Sequence, residues 1–197
     1  MAGFPAIAAA GKSIERILNE AFADVQPISG KTSRAVLVRT TDFEEANVPT
    51  AIGSPALSIY LYRADFNKTM RASWSAVGNQ DGLGHLVLDL HFLLTAWADN
   101  AEFEHRIIGR TMQVLETKPV LSGPLLDSSG SWAPTETVSL VLEEISTEAV
   151  MRTFDSLPTD YRLSIPYIAR MVRIDSLKAA PELPVTTVIS GVAGSLS

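Results

Sequence analysis

The sequence contains no cysteine, no cluster of basic residues and no long apolar run. Without cysteine, neither a disulfide nor a thiolate metal site can form. The 16 lysines and arginines are scattered among 22 acidic residues, whereas nucleic-acid binding needs a concentrated basic surface. No apolar run approaches the roughly 20 residues that a membrane-spanning helix needs. We therefore expect neither a nucleic-acid partner nor direct insertion into a membrane.

Motifs that carry enzyme chemistry are also missing. There is no G-x-S-x-G sequence, and Ser122-Gly123-Pro124 lacks the strand–turn–helix context of a serine nucleophile. The glycines at 78, 82 and 84 are not followed by a helix start or a Gly-Lys-Ser/Thr motif, so they do not indicate a phosphate-binding loop. The sequence thus predicts a protein that is not an enzyme and that has no catalytic residues, metal or cofactor.

The first 22 residues lack the basic start of a signal peptide. Their apolar residues instead recur at helical spacing, which predicts an amphipathic helix from about residue 5 to residue 23. We therefore expect synthesis in the cytoplasm without a signal peptide.

The best-defined stretch runs from residue 85 to residue 126. It begins as a strand whose one face is wholly apolar, because side chains alternate between the two faces: Leu86, Leu88, Leu90, Phe92 and Leu94. The opposite face mixes His85, Asp89 and His91 with Val87 and Leu93. This pattern predicts a strand near the middle of the sheet, covered by helices on one side and partly covered on the other.

A helix follows this strand, with Asp99 predicted as its cap and Glu102 in its first turn. Its predicted buried stripe comprises Phe103, Ile107, Ile108, Thr111, Met112, Val114 and Leu115. Pro119 and Gly123-Pro124 then predict an exit loop.

Further strands are predicted over residues 34–41, 57–66, 138–145 and 163–175, and a short helix begins at Ser146 or Thr147. Strands 57–66 and 85–98 are expected to be antiparallel neighbours. Pro166 cannot donate a ladder hydrogen bond, so we expect the last strand to lie at an edge or to carry a bulge there. The predicted fold class is α+β, with a mixed, mainly antiparallel sheet flanked by about three helices.

A few groups of residues deserve a chemical interpretation. His85, Asp89 and His91 share a strand face, which permits a metal site, but hydrogen-bonded structural groups are the commoner outcome. A small hydrolase that uses His91 and Asp89 with an unrecognised serine is a further alternative. Charges of alternating sign on the helix after Asp99 indicate a solvated face with local ion pairs or a salt bridge between subunits. Trp74 and Trp132 pack at a rim or anchor an interface.

Four segments together resemble a known protein family: LSIYLYRADFNKTMR, the stretch from LDLHFLLTAW to EHRIIGRTMQVLETKPVLSGPLL, VSLVLEEIS and YRLSIPYIARMVRIDS. The family includes the cap, or tail terminator, proteins of phage-tail-like contractile injection systems of the antifeeding-prophage type. The resemblance covers roughly Pro5 to Leu177, and its most specific piece is EHRIIGRTMQVLETKPVLSGPLL. It implies a tail-terminator-like domain over residues 1–177. Beyond it the strand and helix patterns break, and the composition of residues 178–197 predicts a linker and a β-prone arm.

The resemblance also implies a function. Such proteins assemble as a six-fold ring at the end of the particle distal to the baseplate, where they terminate the inner tube and the sheath. We therefore expect a homohexamer whose partners are tube and sheath subunits, in a particle that is either released or retained by the cell. An adaptor or binding module of another multiprotein complex is the alternative.

A ring needs two different complementary surfaces on each subunit. The predicted subunit interface comprises Glu102, Glu104, His105, Arg106, Arg110, Tyr60, Tyr62, Arg170 and Arg173; the last two are expected to pair with acidic neighbours or with a partner subunit. The β-prone arm is suited to strand addition onto an exposed sheet edge. Its predicted contact with sheath or tube comprises Val185, Thr186, Thr187, Val188 and Ile189.

Overall fold

The structure is a computed structural model that describes residues 3–68 and 84–176. Its strands are β1 (Arg34–Val38), β2 (Ala56–Phe66), β3 (His85–Trp97), β4 (Val120–Ser122), β5 (Thr137–Leu142) and β6 (Ser164–Asp175). Its α-helices are α1 (Ala6–Asp24), α2 (Val48–Ala51), α3 (Ala101–Thr117) and α4 (Thr147–Asp155). The six strands form one sheet in the order β1-β2-β3-β6-β5-β4.

The sheet is mixed and mainly antiparallel, which confirms the predicted α+β class. Only the β1–β2 pair is parallel, while β2–β3, β3–β6, β6–β5 and β5–β4 are antiparallel. The predicted pairing of β2 with β3 is confirmed, and β3 lies inside the sheet as expected. The structure adds α2, a single turn between the predicted strands 34–41 and 57–66.

The main core lies on the face of the sheet that carries α1 and α3. The apolar face of β3 lies here, with Leu90, Phe92 and Leu94 at most 1% exposed. The predicted stripe of α3 is confirmed by Ile107, Ile108, Thr111, Val114 and Leu115, which are buried, and by Phe103 and Met112, which pack against them. Leu86 departs from the pattern, since it is 49% exposed.

A second, smaller core covers part of the opposite face. Leu93 and Trp97 of β3 pack there against Phe43, Ile52 and the inner side of α4. That inner side consists of Val150 and Phe154, and Leu157 packs beside them just after the helix ends. Ser146 caps the helix by accepting a hydrogen bond from the Ala149 N–H. Both faces of this end of β3 are therefore buried.

The cap of α3 differs from the prediction. Asn100 rather than Asp99 caps the helix, and its side chain accepts a 3.0 Å hydrogen bond from the Phe103 N–H. Asp99 instead pairs with Lys31 and accepts a 3.2 Å hydrogen bond from the Ser54 hydroxyl. These contacts hold the pKa of Asp99 below its usual value, because the Lys31 ammonium favours the carboxylate.

The prediction for Pro166 is wrong in both of its forms. β6 lies between β3 and β5, and its bulge lies elsewhere. The Pro166 carbonyl accepts a 2.9 Å hydrogen bond from the Glu143 N–H, so its ring nitrogen faces the same side, where β5 has just ended at Leu142. An interior strand tolerates this proline because the missing donor falls where the pairing stops.

Two bulges bend the strands on either side of β3. One lies in β2 between Leu61 and Arg63, and the pairing of β3 with β6 shifts between Leu88 and Leu90. The β6 bulge places Met171 at φ 68°, in the left-handed region that disfavours side chains with a Cβ.

No α-helix in residues 3–68 and 84–176 is both long enough and apolar enough to span a membrane.

Candidate assembly surfaces

The three polar residues that share a face of β3 are each held by different partners. His85 Nδ1 lies 2.6 Å from Asp175 Oδ1, and Asp89 accepts hydrogen bonds of 3.1 and 3.2 Å from the Asn67 amide. His91 Nδ1 lies 2.9 Å from Glu143 Oε1. Their donors and acceptors are thus engaged in tying neighbouring strands together. In the described parts of the chain, no group of three or more His, Asp or Glu residues is placed to hold a metal ion.

His91 belongs to a buried polar network that joins β2, β3 and the end of β5. Glu143 accepts a 2.7 Å hydrogen bond from the Tyr62 hydroxyl and lies 3.2 Å from Arg63 Nη2. Arg63 also pairs with Asp65, through Nε at 2.9 Å. The β2 bulge makes this possible, because it places Tyr62 and Arg63 on the same face of the sheet.

Burial of the network has an electrostatic consequence. The side chains of His91 and Glu143 are each 6% exposed, so electrostatic interactions between them and their neighbours are weakly screened by solvent. Burial raises the pKa of Tyr62, and the hydrogen bond that it donates to Glu143 raises that pKa further. Tyr62 therefore stays protonated and keeps donating to Glu143 over the working range of pH.

His85 lies in a second cluster at the other end of β3. Asp175 accepts from Arg173, whose Nη2 lies 2.8 Å from Oδ2, and Arg173 Nε lies 3.3 Å from Glu136 Oε1. Burial alone would raise the pKa of Asp175. The hydrogen bonds from Arg173 and His85 outweigh burial, so they hold the pKa of Asp175 below its usual value.

The charged face of α3 divides into exposed and engaged residues. Glu102 and Arg106 form an exposed ion pair of 2.9 Å one turn apart, and His105 is exposed beside them. Glu104 lies 3.7 Å from Arg162 Nη1. Arg110 donates a 3.0 Å hydrogen bond from Nη2 to the Ala21 carbonyl, which fastens α3 to α1. The exposed residues near the helix start are thus the ones that remain open to a neighbouring subunit.

The remaining predicted interface residues also have contacts within the chain. The Tyr60 hydroxyl lies 3.1 Å from the Thr40 hydroxyl, and Tyr62 belongs to the buried network. Arg170 lies 3.7 Å from Asp89 with a side chain that is 48% exposed. Arg173 is 19% exposed and paired with acidic residues. The acidic neighbours expected for both arginines are present, while an interface role for these four residues stays a prediction.

The tryptophans that lie in the described residues form their contacts within the chain. Trp97 donates a 2.9 Å hydrogen bond to the Ser58 hydroxyl, and Arg162 stacks 4.4 Å from its ring centroid. Trp132 donates a 2.8 Å hydrogen bond to the Asp127 carbonyl and packs against the main core. Trp74 and the segment Val185–Ile189 lie outside the described residues.

The sequence did not reveal that one edge of the sheet is closed. β1 is an edge strand, and the Asn19 side chain of α1 both accepts from the Ala35 N–H and donates to the Ala35 carbonyl, each at 2.9 Å. Glu15 Oε1 accepts from the Leu37 N–H at 3.0 Å. Side chains of α1 thus form hydrogen bonds with the backbone groups of β1 to which a further strand would otherwise pair.

At the opposite edge of the described sheet, β4 spans three residues and its pairing with β5 ends at Ser139. Just beyond, a groove of about 610 Å³ opens where β5 and β6 diverge. Its lining is mainly apolar: Met112, Leu142, Ile145, Val150, Tyr161, Ile165 and Pro166, together with Glu143, Glu144, Thr147 and Ser164. We call this the β5–β6 groove.

Over the described residues, the geometry defines a class of protein: a single mixed sheet with helices on both faces and polar clusters that tie neighbouring strands together. A comparison with known families then places the chain, since residues 9–187 match the family model described as the Pvc16 N-terminal domain. The chain belongs to the Pvc16 N-terminal domain family. No curated protein matches it in a sequence comparison.

Two solved structures share the fold. One is the sheath/tube terminator of the extracellular contractile injection system PVC in its extended state, with a TM-score of 0.52 and 17% identity over 94% of this chain and 64% of that chain. The other is the tube-terminating cap of the anti-feeding prophage, with a TM-score of 0.52 and 19% identity over 94% of this chain and 59% of that chain. The chain therefore spans about two thirds or less of the length of these structures.

Proposed function

We propose that the chain is a structural cap that terminates the inner tube and sheath of a contractile injection system as a ring at the end distal to the baseplate. The observation that carries this proposal is the shared fold with two terminators over 94% of the chain. Membership of the Pvc16 N-terminal domain family supports it independently. The tube and sheath subunits of the same particle are the proposed partners.

The polar clusters support a structural rather than an enzymatic role. His91, Glu143 and Tyr62 bond to one another, and His85 bonds to Asp175. Polar side chains that already form hydrogen bonds within the chain stabilise the sheet, and their donors and acceptors are engaged by one another instead of by a substrate. We infer that the protein works by contacts between subunits, without cofactor or metal.

The ring is proposed to be a homohexamer with heterologous contacts, in which each subunit offers two different surfaces. The exposed residues Glu102, His105 and Arg106 supply the first surface, and Arg170 supplies a charge on the uncovered part of the sheet. Rim charges of this kind set orientation and partner choice more than affinity. The contact of Val185–Ile189 with sheath or tube stays a prediction from the sequence.

The mass of the purified protein in solution tests this proposal. Mass photometry over a range of concentrations is expected to show a hexamer, or a hexamer that forms when tube subunits are added. A protein that stays monomeric under both conditions while binding some other complex would instead be the adaptor that the sequence left as the alternative.

A further inference from the structure

We propose that the phenyl ring of Phe4 in one copy of the chain inserts into the β5–β6 groove of a neighbouring copy. This inference rests on the proposed ring and names one contact between its subunits. Three observations support it: Phe4 stands free of its own chain, the groove lies at the opposite end of the molecule, and the two sites match in apolar surface and in charge.

Phe4 is the most exposed large apolar residue in the described part of the chain, at 84%. It directly precedes Pro5, the N-cap of α1, a position from which an apolar side chain often packs onto the fourth residue of its own helix. That residue is Ala9, which is already fully buried, and Phe4 does not pack there. The Ala6 N–H donates a 3.0 Å hydrogen bond to the Gly3 carbonyl, so a closed turn fixes the backbone on both sides of Phe4.

The course of α1 places Phe4 far from the groove of its own chain. Glu15 bonds to Leu37, and Asn19, one turn further along the helix, bonds to Ala35. The numbering rises along α1 while it falls along β1, so the helix and the strand are antiparallel. Phe4 therefore lies towards the carboxyl end of β1, about 22 Å along the helix axis from Asn19.

The groove lies at the opposite end of the sheet, where β1 and β6 both begin. β1 is parallel to β2, and both β2 and β6 are antiparallel to β3, so β1 and β6 run in the same direction. Ser164 and Pro166, at the start of β6, line the groove. A chain that keeps the contacts between α1 and β1 cannot place its own Phe4 there. A neighbouring copy can do so, in a heterologous contact of the kind that builds rings.

The lining of the groove suits an aromatic side chain. Leu142 and Tyr161 are 48% and 50% exposed, so two large side chains of the groove are partly uncovered. A phenyl ring from a neighbouring copy covers them and buries its own apolar surface at the same time, and it can pack against the Tyr161 ring. Insertion thus removes from water both the exposed ring of one copy and the apolar lining of the next.

The charges beside the two sites are complementary. In the described part of the chain, the groove is lined by Glu143 and Glu144 and by no lysine or arginine. The first charged side chain after Phe4 is Lys12, which is exposed on α1. It lies about 12 Å from Phe4 along the helix, and helical side chains lean towards the N-terminus of their helix. When Phe4 fills the groove, the Lys12 ammonium therefore lies within reach of the exposed Glu144 carboxylate.

Cysteine cross-linking tests this contact directly, because the sequence has no cysteine. Ala8→Cys, one turn behind Phe4, and Thr147→Cys, on the groove, are placed together in the full-length chain. The protein is treated with a short bismaleimide, both as purified protein and in capped particles. We expect a link from position 8 of one chain to position 147 of another, identified by mass spectrometry. Thr50→Cys, which is exposed on α2 and does not line the groove, replaces Thr147→Cys as the control and should give at least tenfold less product.

Further substitutions in the cross-linking chain test what holds the contact. Phe4→Ser should lower the yield of the link at least fivefold. Val25→Ser changes an exposed apolar residue at the other end of α1 and should leave the yield unchanged. Lys12→Glu should lower the yield at least threefold, and adding Glu144→Lys should restore it, because the two charges are then exchanged.

The outcomes separate this contact from the proposed function. A link between copies that is absent from both purified protein and capped particles overturns the contact. A link that survives Phe4→Ser, or that Glu144→Lys does not restore, does the same. A hexamer that caps tubes normally without the link contradicts the contact and leaves the proposed function intact. The expected link in a protein that fails to cap tubes contradicts the capping function and leaves the contact standing.

Discussion

The amide of Asn19 and the backbone of Ala35 exchange two hydrogen bonds of 2.9 Å, so a helix side chain takes the place of a neighbouring strand. Edge strands with free backbone groups invite pairing with other chains. In β1 this contact engages the N–H and C=O of Ala35, two of the backbone groups with which an added strand would pair.

Replacing Asn19 tests this closure. Asn19→Leu keeps the volume but leaves the Ala35 N–H and C=O unpaired, which should lower the free energy of unfolding by about 2 kcal/mol. The variant should also aggregate at lower concentration, which light scattering measures. Lys12→Leu is the control at an exposed position of α1 and should change stability by about 0.5 kcal/mol or less. An Asn19→Leu protein as stable and as soluble as the natural one would contradict the closed edge.

Met171 carries backbone strain that a glycine would relieve. Its φ of 68° is unfavourable for a residue with a Cβ, at a cost of about 1 kcal/mol. Met171→Ala removes the side chain and keeps the strain, whereas Met171→Gly removes both. We expect the glycine variant to be more stable than the alanine variant by about 1 kcal/mol in urea unfolding. Equal stabilities would show that the bulge is unstrained.

Glu143 should matter far more than its neighbour Glu144. Removing the Glu143 carboxylate leaves His91, Arg63 and Tyr62 without their shared partner, so Glu143→Ala should cost about 3 kcal/mol of unfolding free energy. Glu144 is exposed, and Glu144→Ala should change stability by less than about 0.5 kcal/mol. Denaturant titration of both variants measures the difference. Similar losses for the two variants would mean that the buried network contributes little.

Asp175 should make the fold sensitive to acid. Its pKa is lower in the folded chain than its ordinary value of 3.8, so its contribution to stability is complete above that value and is lost as the pH falls through the folded pKa. Asp175→Asn should therefore flatten the fall in unfolding free energy below about pH 4. Asp155→Asn, on the exposed side of α4, should retain the slope of the natural protein. An unchanged acid slope in Asp175→Asn would show that this carboxylate does not contribute to it.

The exposed ion pair on α3 offers a test of the proposed ring contact. The double variant Glu102→Arg, Arg106→Glu keeps a salt bridge within the helix but exchanges the positions of the charges that a neighbouring subunit meets. Because exposed pairs contribute about 0.5 kcal/mol, the fold should stay intact while hexamer formation weakens. The same exchange in Glu148 and Arg152 of α4, another exposed pair one turn apart, is the control. Equal effects of the two exchanges on oligomeric state would remove α3 from the interface.

The spacing of apolar residues in the sequence predicted the helices and strands whose buried residues recur at regular intervals. The alternation in β3 and the spacing in α3 placed both elements and their buried faces, because burial repeats with the period of the element. Asp99 was mistaken for the cap because Asn100 next to it has equal capping chemistry, and the actual partner of Asp99 is Lys31, 68 residues earlier in the sequence. The spacing of residues along the sequence does not predict contacts between residues so far apart.

The candidate surfaces were predicted less well for the same reason. The Glu143 partner of His91 lies 52 residues away, and the Asn19 closure of β1 depends on how α1 crosses the sheet. The residue with positive φ in the β6 bulge is a methionine. A glycine at this position would have indicated a positive φ from the sequence alone. An edge strand or a bulge was predicted at Pro166 because its missing donor was known, while the position at which β5 ends was not.

Particle length tests the central claim most directly. Particles are assembled with and without this chain, and the lengths of their tubes and sheaths are measured in electron micrographs. The proposed cap predicts particles of uniform length, closed by a ring at the end distal to the baseplate, and tubes of uncontrolled length when the chain is absent. Uniform particles with normal ends in its absence would contradict the terminating role.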